Sequence, residues 1–413
     1  MPSWWKAIVS PRMAVAFLMG FACGLPLLLT ITVLQAWMQQ EGVNLAVIGL
    51  MALVGLPYTL KFLWAPLLDR YVPPFLGRRR GWLLIVQILL MAAVAALGFS
   101  QPRAHPWLTA LAALMVTFFS ASQDIVVDAY RREDLADREL GLGSALYVNG
   151  YRLGMLLASG GGLILADHVS FRTVYLIMAA CLGVGVVTTL LCREPDAPLG
   201  RPTSLKEAVI QPFVEYFTRS DLSWALLVLA FILLYKIGDS MAAAMTTPFY
   251  LQIGFSKTEI GTVVKLFGFW ATVGGGLLGG VLMLRLGINR SLWVFGFLQM
   301  VSTAGFALLA RLGHSLPGLA AVVAFENLSA GMGTAAYVAF MAALTHKRFT
   351  ATQYALLSSL MGVPRVLASA PTGYLAQALG WEGFFLFCTL AALPGMLLLL
   401  RFAPWGGEAP AAE

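Results

Sequence analysis

The chain has 413 residues, of which 59% are hydrophobic and only 11% are charged. Soluble proteins carry about 25% charged residues, so this composition excludes a soluble globular domain and indicates an integral membrane protein with many spans. The net charge of +7 would fit a nucleic-acid-binding protein, but the basic residues lie in short loops between apolar runs, where they set membrane orientation. We therefore expect the lipid bilayer as a partner and no nucleic acid.

Apolar runs of about 20 residues, enough to cross a bilayer, recur along the whole chain. The sequence predicts twelve of them, at 13–38, 45–69, 82–99, 107–130, 141–166, 172–192, 223–250, 258–284, 291–310, 317–345, 351–378 and 382–401. The longest hydrophilic interruption, 193–222, contains Pro195, Pro198 and Pro202 and a predicted amphipathic helix. It separates an N-terminal six-helix bundle, 1–192, from a C-terminal six-helix bundle with a short tail, 223–413.

The Lys and Arg residues fall unequally on the two sides of these spans. Eighteen of the 27 lie on the side of the termini, four on the opposite side and five within spans. Because basic loops stay in the cytoplasm, we expect both termini there. The first apolar run is longer than the 7–15 residues of a cleavable signal, which predicts an uncleaved span.

The two halves resemble a repeat. Arg152 and Arg365 are 213 residues apart, as are Gly160 and Gly373. Repeated halves of six spans are typical of alternating-access transporters, whose sites lie between the halves near mid-membrane. The predicted fold is therefore an all-α integral membrane protein of 12 transmembrane helices in two pseudo-symmetric halves, and we expect a monomer.

Ionisable side chains within spans are the candidate functional residues, since each costs about 2.5–3.5 kcal/mol at a span centre. Such groups must face one another or a wet cavity. They are Lys61, Asp124, Asp128, Arg152, Lys236, Asp239, Lys265, Glu326 and Arg365. Lys236 and Asp239 are three residues apart, which fits either a local ion pair or a role in substrate binding.

Asp124 and Asp128 stand out because they lie four residues apart, on one face of a helix. Two carboxylates this close repel each other, so the pair needs a shared proton or a cationic partner such as Arg152 on the next span. We predict that the pair couples transport to protons. Asp124 is the more deeply embedded member, whereas Asp128 lies near Arg131 and so could share in a cytoplasmic gate.

The loop after the second span reads A-P-L-L-D-R at 65–70 and G-R-R-R at 77–80. It is similar to the signature loop of the major facilitator superfamily, G-x-x-x-D-R/K-x-G-R-R/K. It departs from that pattern because Ala65 replaces the first glycine and an insert with Pro73 and Pro74 separates the two parts. The resemblance implies a cytoplasmic gate formed by Asp69, Arg70, Arg78 and Arg79, with Arg131 and Arg132 as partners.

Longer stretches carry a closer resemblance and are spread over both halves. They include F-A-C-G-L-P at 21–26, K-F-L-W-A-P at 61–66, S-A-S-Q-D-I-V-V-D-A at 120–129 and F-E-N-L-S-A-G-M-G-T at 325–334. In these stretches the chain resembles the muropeptide permeases of the major facilitator superfamily. The resemblance implies proton-driven import of N-acetylglucosaminyl-1,6-anhydro-N-acetylmuramyl peptides through the bacterial inner membrane. It also implies a place in peptidoglycan recycling and, indirectly, in supplying the signal for β-lactamase induction.

Muropeptides carry carboxylates and sugars, and the bases within spans outnumber the acids by one. The predicted substrate-binding residues are Lys61, Gln123, Asn149, Tyr151, Arg152, Lys236, Asp239, Lys265, Glu326, Asn327 and Arg365. Trp37 or Trp270 could stack on a sugar ring, although packing is the more frequent use of such residues.

Two alternatives remain open from the sequence. A carrier for another large anionic conjugate, such as an acyl-coenzyme A, would need similar cationic residues. A membrane-embedded enzyme acting on cell-wall precursors is a different class, but the sequence has no P-loop, H-E-x-x-H or G-x-S-x-G motif. The four cysteines have no metal-site spacing, so we predict no metal and no cofactor.

Overall fold

A computed structural model describes residues 10–43, 51–196, 205–218, 222–256, 259–346, 349–362, 368 and 371–405. Every regular element in these ranges is helical, because a backbone in lipid must satisfy its own hydrogen bonds. The α-helices are α1 (Pro11–Leu28), α2 (Leu34–Gln40), α3 (Leu56–Leu60), α4 (Ala65–Arg70), α5 (Arg78–Gly98), α6 (Pro106–Asp134), α7 (Leu140–Leu156), α8 (Gly162–Ala166), α9 (Phe171–Cys181), α10 (Gly183–Leu191), α11 (Leu205–Thr218), α12 (Leu222–Leu234), α13 (Ile237–Gln252), α14 (Gly268–Leu312), α15 (Leu316–Ala343), α16 (Thr350–Met361), α17 (Thr372–Ala391) and α18 (Leu393–Phe402). Short 3₁₀ or π-helical segments join several of them, at Leu29–Val33, Met51–Gly55, Lys61–Leu63, Asp137–Glu139, Leu157–Gly161 and Ile260–Phe267.

The described residues place helix in each of the twelve predicted spans, and eight helices are long and apolar enough to cross a membrane by themselves. One of these contains both the eighth and ninth predicted spans, which turn at Gly287 with a φ of 74°. Gly380, with a φ of 67°, makes the equivalent turn before the last span. Glycine suits both positions because a side chain disfavours positive φ.

The second predicted span differs from the expected single helix, since it is divided into α3, the turn at Lys61–Leu63 and α4. Pro57 and Pro66 lie in the first turns of α3 and α4, where the missing proline N–H breaks no helical bond. This division brings Lys61 onto a tight turn rather than the middle of a regular helix.

The chain forms two compact units. The first comprises Met1–Ala136, Leu146–Phe213 and Thr345–Ser359, and the second comprises Asp137–Ala145, Val214–Leu344 and Leu360–Glu413. The main boundary, between Phe213 and Val214, falls inside the predicted linker 193–222.

In the first unit, α1 and α7 approach so closely that their backbones are in contact. A Cβ atom added at Gly24 would overlap the Tyr151 carbonyl, and one added at Gly150 would overlap the Phe17 carbonyl. Small residues permit such approach between membrane helices. The contact holds Tyr151 and its neighbours on α7 beside the α1 segment around Cys23.

Aromatic side chains fill the cores of both units. Trp37 is 7% exposed and stacks on Phe171 with ring centroids 5.6 Å apart, so it serves packing in the first unit. Trp270 is 58% exposed. In the second unit Phe249 and Phe385 pack edge to face at 4.8 Å.

Glycines also bring α14 and α15 together in the second unit. A Cβ atom at Gly275 would overlap the Leu328 carbonyl, and one at Gly331 would overlap the Thr272 carbonyl. The glycine-rich run 274–280 therefore serves helix packing. It fixes the face of α15 that carries Glu326 against α14.

Candidate functional site

The acid pair of α6 lies in the interior of the first unit. Asp124 is 6% exposed and Asp128 is 4% exposed. The Lys61 ammonium, itself buried, lies near enough to interact electrostatically with both carboxylates. The break in the second span therefore supplies a counter-charge for the pair, a partner that the sequence did not indicate.

Several buried polar atoms of α6 and α7 have no hydrogen-bond partner among the described residues. They are Asp124 Oδ1, Gln123 Oε1 and both amide atoms of Asn149. Gln123 donates from Nε2 to Cys23 Sγ at 3.3 Å, which fixes its amide group beside α1. Buried polar groups are normally paired, so a group of unpaired ones on neighbouring helices is typical of a site that receives polar ligand atoms or water.

The tyrosines nearest Asp124 come from two helices. Tyr151 of α7 and Tyr58 of α3 lie within electrostatic range of Asp124, and Tyr58 donates to Ser120 Oγ at 2.9 Å. Arg152 is half-buried on the same helix as Tyr151. The first unit thus brings Lys61, Gln123 and Tyr151 of the predicted substrate-binding residues together around Asp124, while Asn149 is buried two residues before Tyr151 on α7.

A second charge cluster lies at the end of the first unit that carries the signature loop. Arg79, which is fully buried, donates from Nη2 to Asp69 Oδ1 at 2.8 Å and to Glu133 Oε1 at 2.6 Å. Its Nε donates to Glu133 Oε2 at 2.9 Å. Arg78 donates to Glu133 Oε1 at 3.0 Å. Of the predicted gate residues, Arg70 lies apart and places its guanidinium 5.6 Å from the Tyr71 ring.

The segment Thr345–Ser359, which is part of the first unit, contacts this cluster through Asp69. The second carboxylate oxygen of Asp69 accepts hydrogen bonds from Thr352 N at 2.9 Å and Thr352 Oγ1 at 2.8 Å, in the first turn of α16. A carboxylate is stabilised at a helix N-terminus by the free N–H groups and the helix dipole. Asp69 therefore links the signature loop to α16.

Arg131 makes a second contact with α16, this time from α6. Its Nη2 lies 3.2 Å from Asp128 Oδ1 and donates to the Tyr354 hydroxyl at 3.0 Å. The guanidinium also lies 4.5 Å from the Tyr147 ring. Asp128 is thus paired with Arg131, a predicted gate residue, while Asp124 lies near Lys61.

Glu194 is a residue that sequence reasoning missed. Its two carboxylate oxygens accept from Arg79 N at 2.7 Å and Arg80 N at 2.9 Å, at the start of α5. Arg80 in turn donates to the carbonyl groups of Thr189 and Leu190 at the end of α10. A carboxylate directly after an apolar span, opposite an arginine-rich helix start, was the available signal.

The second unit has its own acid cluster. Lys236 Nζ lies 3.3 Å from Asp239 Oδ2, which is the local ion pair the sequence allowed. The carboxyl groups of Asp239 and Glu326 lie close enough to interact electrostatically, and Ser302 Oγ donates to Glu326 Oε2 at 2.5 Å. The sequence did not predict the contact between these two acids.

The remaining predicted substrate-binding residues have separate placements. Asn327 is satisfied within the second unit, since its Oδ1 accepts from Thr272 Oγ1 at 2.7 Å and its Nδ2 donates to Val323 O at 2.9 Å. Lys265 belongs to Ile260–Phe267, but its side chain lies outside the described part, as does the whole of Arg365.

Long apolar helices with buried acid and base clusters define the class of this protein as a multi-pass membrane transporter. The chain belongs to the Major Facilitator Superfamily, whose family model matches residues 13–369. Members of this family are transporters and not enzymes, which excludes the alternative of a membrane-embedded enzyme.

Among its relatives, the anhydromuropeptide permease of Escherichia coli K12 is 48% identical over 393 residues, which cover 94% of this chain and 79% of that protein. Two solved structures share the fold. The proton:xylose symporter XylE has a TM-score of 0.73 at 10% identity and covers 95% of both chains. The transporter FucP in its outward conformation has a TM-score of 0.71 at 12% identity, over 95% of this chain and 99% of that one.

Proposed function

We propose that this chain imports N-acetylglucosaminyl-1,6-anhydro-N-acetylmuramyl peptides from the periplasm to the cytosol, driven by protons. The observation that carries the proposal is the 48% identity to a permease named for anhydromuropeptides, over 94% of the chain. The imported molecules would feed peptidoglycan recycling and indirectly supply the signal for β-lactamase induction.

The proposed location is the bacterial inner membrane, with both termini in the cytoplasm and the protein as a monomer. The support for this orientation is the excess of basic residues on the side of the termini. The charge cluster around Arg79 then lies at the cytoplasmic end.

The substrate site that we propose is the cluster around Lys61 and Asp124. Lys61 provides a cation for a stem-peptide carboxylate, and the unpaired Gln123 Oε1 and Asn149 amide atoms provide donors and acceptors for acetamido and peptide groups. Arg152, Lys236, Lys265 and Arg365 remain proposed contacts of the same cargo.

Proton coupling is proposed for Asp124 and gating for the cluster at the cytoplasmic end. A proton on Asp124 would remove one of the two negative charges near Lys61, which favours an anionic ligand beside it. Substrate and proton would then bind together, as import by symport requires. Asp128, paired with Arg131, would act with Asp69, Arg78 and Arg79 in the gate.

The test is uptake of a labelled anhydro-muropeptide into energised vesicles, with and without a proton gradient. Accumulation should require the gradient, and equal uptake in its absence would refute the coupling. Asp124→Asn and Asp128→Asn should each impair driven uptake more than membrane insertion. Wild-type transport by both variants would refute their proposed roles.

The competing substrate class is the acyl-coenzyme A type of anionic conjugate. An excess of unlabelled acetyl-coenzyme A should leave muropeptide uptake unchanged. Competition at concentrations similar to those of the muropeptide would favour the alternative.

A further inference from the structure

The linker helix α11 exposes large apolar side chains although it is not a membrane span. Val209 and Ile210 are each 46% exposed, and Val214 is 43% exposed. At 3.6 residues per turn, these three positions share one face of the helix. Because α11 has 14 residues, fewer than the roughly 20 that a span requires, crossing the bilayer does not explain this apolar face.

The other two faces of α11 have different surroundings. Pro212 and Tyr216 are buried, and the Pro212 carbonyl accepts a hydrogen bond from Gln353 Nε2 of α16 at 3.1 Å. Gln211 and Glu215 form a polar face, on which Gln211 is exposed. One face of α11 therefore packs against protein, one is polar, and the third is apolar and exposed.

Two connections hold α11 at the level of the membrane face. The middle of the helix is bonded to Gln353, which is 2% exposed and is the third residue of the predicted span 351–378. The last residue of the helix, Thr218, is at most about 14 Å along the chain from Leu222, where the membrane-spanning helix α12 begins. A helix held near the ends of two spans, at its middle and at its own end, lies along the membrane face.

The spans on either side of the linker present leucines to lipid up to the ends of the linker. Leu191, the last residue of α10, is 80% exposed, and Leu222 and Leu226 of α12 are 55% and 53% exposed. Attraction to anionic headgroups does not explain a position of α11 at this surface, because 193–222 contains four basic and five acidic residues. Burial of the apolar face among lipid chains does explain it.

We propose that α11 is a membrane-surface helix, with Val209, Ile210 and Val214 among the lipid acyl chains and its polar face toward water. Such helices bury their apolar face about 5–10 Å into the boundary between headgroups and acyl chains. In the orientation proposed above, this leaflet is the cytoplasmic one. The helix then ties the start of α16 to the membrane surface through Gln353. This position of α11 does not depend on which substrate the protein carries.

Site-directed spin labelling of the full chain in phosphatidylcholine vesicles tests this position. Cys181, the native cysteine that is not buried, is replaced by alanine. Single labels are then attached to Val209→Cys and Ile210→Cys, with Gln211→Cys and Glu215→Cys as matched controls on the polar face. The ratio of collisions with oxygen, which concentrates among acyl chains, to collisions with a water-soluble nickel chelate should be several-fold higher on the apolar face. Equal ratios on the two faces would overturn the proposal, as would apolar-face labels that neither reagent reaches because protein covers them.

Two controls concern what else could cover the apolar face. Spin–spin broadening that dilution with unlabelled protein removes would mean that a second copy of the chain covers it, which would also overturn the proposal. Adding phosphatidylglycerol to the vesicles should leave the collision ratios unchanged, because apolar burial and not charge holds the helix. Insertion that occurs only with this anionic lipid would contradict the proposed cause.

A pair of substitutions tests whether the apolar side chains hold the helix in place. With Val209→Asp and Val214→Asp combined, the label at position 210 should lose most of its preference for oxygen, because two carboxylates are costly among acyl chains. Gln211→Asp, on the polar face, should leave that preference unchanged. A label that keeps its preference in the double variant would refute the role of this face. If the double variant does not fold by gel filtration, the comparison of labels on the two faces still decides the proposal.

Discussion

Arg79 offers the most specific test of the charge cluster beside the signature loop. Its guanidinium is fully buried and makes three hydrogen bonds of 2.6–2.9 Å to Asp69 and Glu133. Replacing it by glutamine leaves two buried carboxylates, and among the described residues Arg78 is then the cation that pairs with Glu133. Breaking a buried ion pair by removing one partner costs about 3–5 kcal/mol.

Arg70→Gln is the matched control, because Arg70 lies in the same loop. Among the described residues, its guanidinium contacts only the face of the Tyr71 ring. A cation–π contact at an exposed site contributes about 0.5–1 kcal/mol. At roughly 2–4 °C per kcal/mol for a unit of this size, Arg79→Gln should lower the melting temperature in detergent by about 10 °C and Arg70→Gln by about 2 °C.

A double-variant cycle separates the ion pair from other effects of the substitution. If Arg79 and Glu133 stabilise each other, Arg79→Gln combined with Glu133→Gln should cost less than the sum of the two single changes. Additive costs, or an Arg79→Gln protein as stable as Arg70→Gln, would refute the assigned network.

Three further predictions concern separate contacts. Gly150→Ala should lower the free energy of unfolding by on the order of 3 kcal/mol, because the added methyl group overlaps a carbonyl of α1. Gly183→Ala should leave the stability unchanged, because its added methyl group meets open space. Thermal unfolding measures both effects. Glu194→Ala should cost about 1.5–3 kcal/mol by freeing two N–H groups of α5, and the exposed Asp196→Ala should cost less than about 0.5 kcal/mol. Asn149→Ala should leave the stability unchanged or improve it, since the buried amide atoms of Asn149 have no described partner. The same variant should raise the KM for uptake about tenfold. An unchanged KM would remove Asn149 from the proposed substrate site.

The sequence predicted the helices well because lipid imposes a strong and local rule. A span of about 20 apolar residues must be helical, and short basic loops mark the ends. The breaks within spans were harder to predict. Pro57 and Pro66 gave a signal for the division of the second span, but not for the placement of Lys61 on the resulting turn.

The pairing of charges could not be predicted from periodicity. Lys61 meets Asp124 across 63 residues of sequence, and Asp239 meets Glu326 across 87. Such contacts depend on the rotation and tilt of each helix, which packing against neighbours determines. Asp124 and Asp128 were recognisable because they are four residues apart on one helix. Glu133 and Glu194 instead bind Arg79, which lies far from both in the sequence.

The proposed import moves muropeptide and protons together across the membrane. In proteoliposomes with a pH-sensitive dye inside and no imposed gradient, adding the anhydro-muropeptide outside should acidify the lumen as the labelled compound enters. Entry of the muropeptide without acidification would contradict the proposed coupling to protons. Acidification by acetyl-coenzyme A in place of the muropeptide would contradict the proposed substrate.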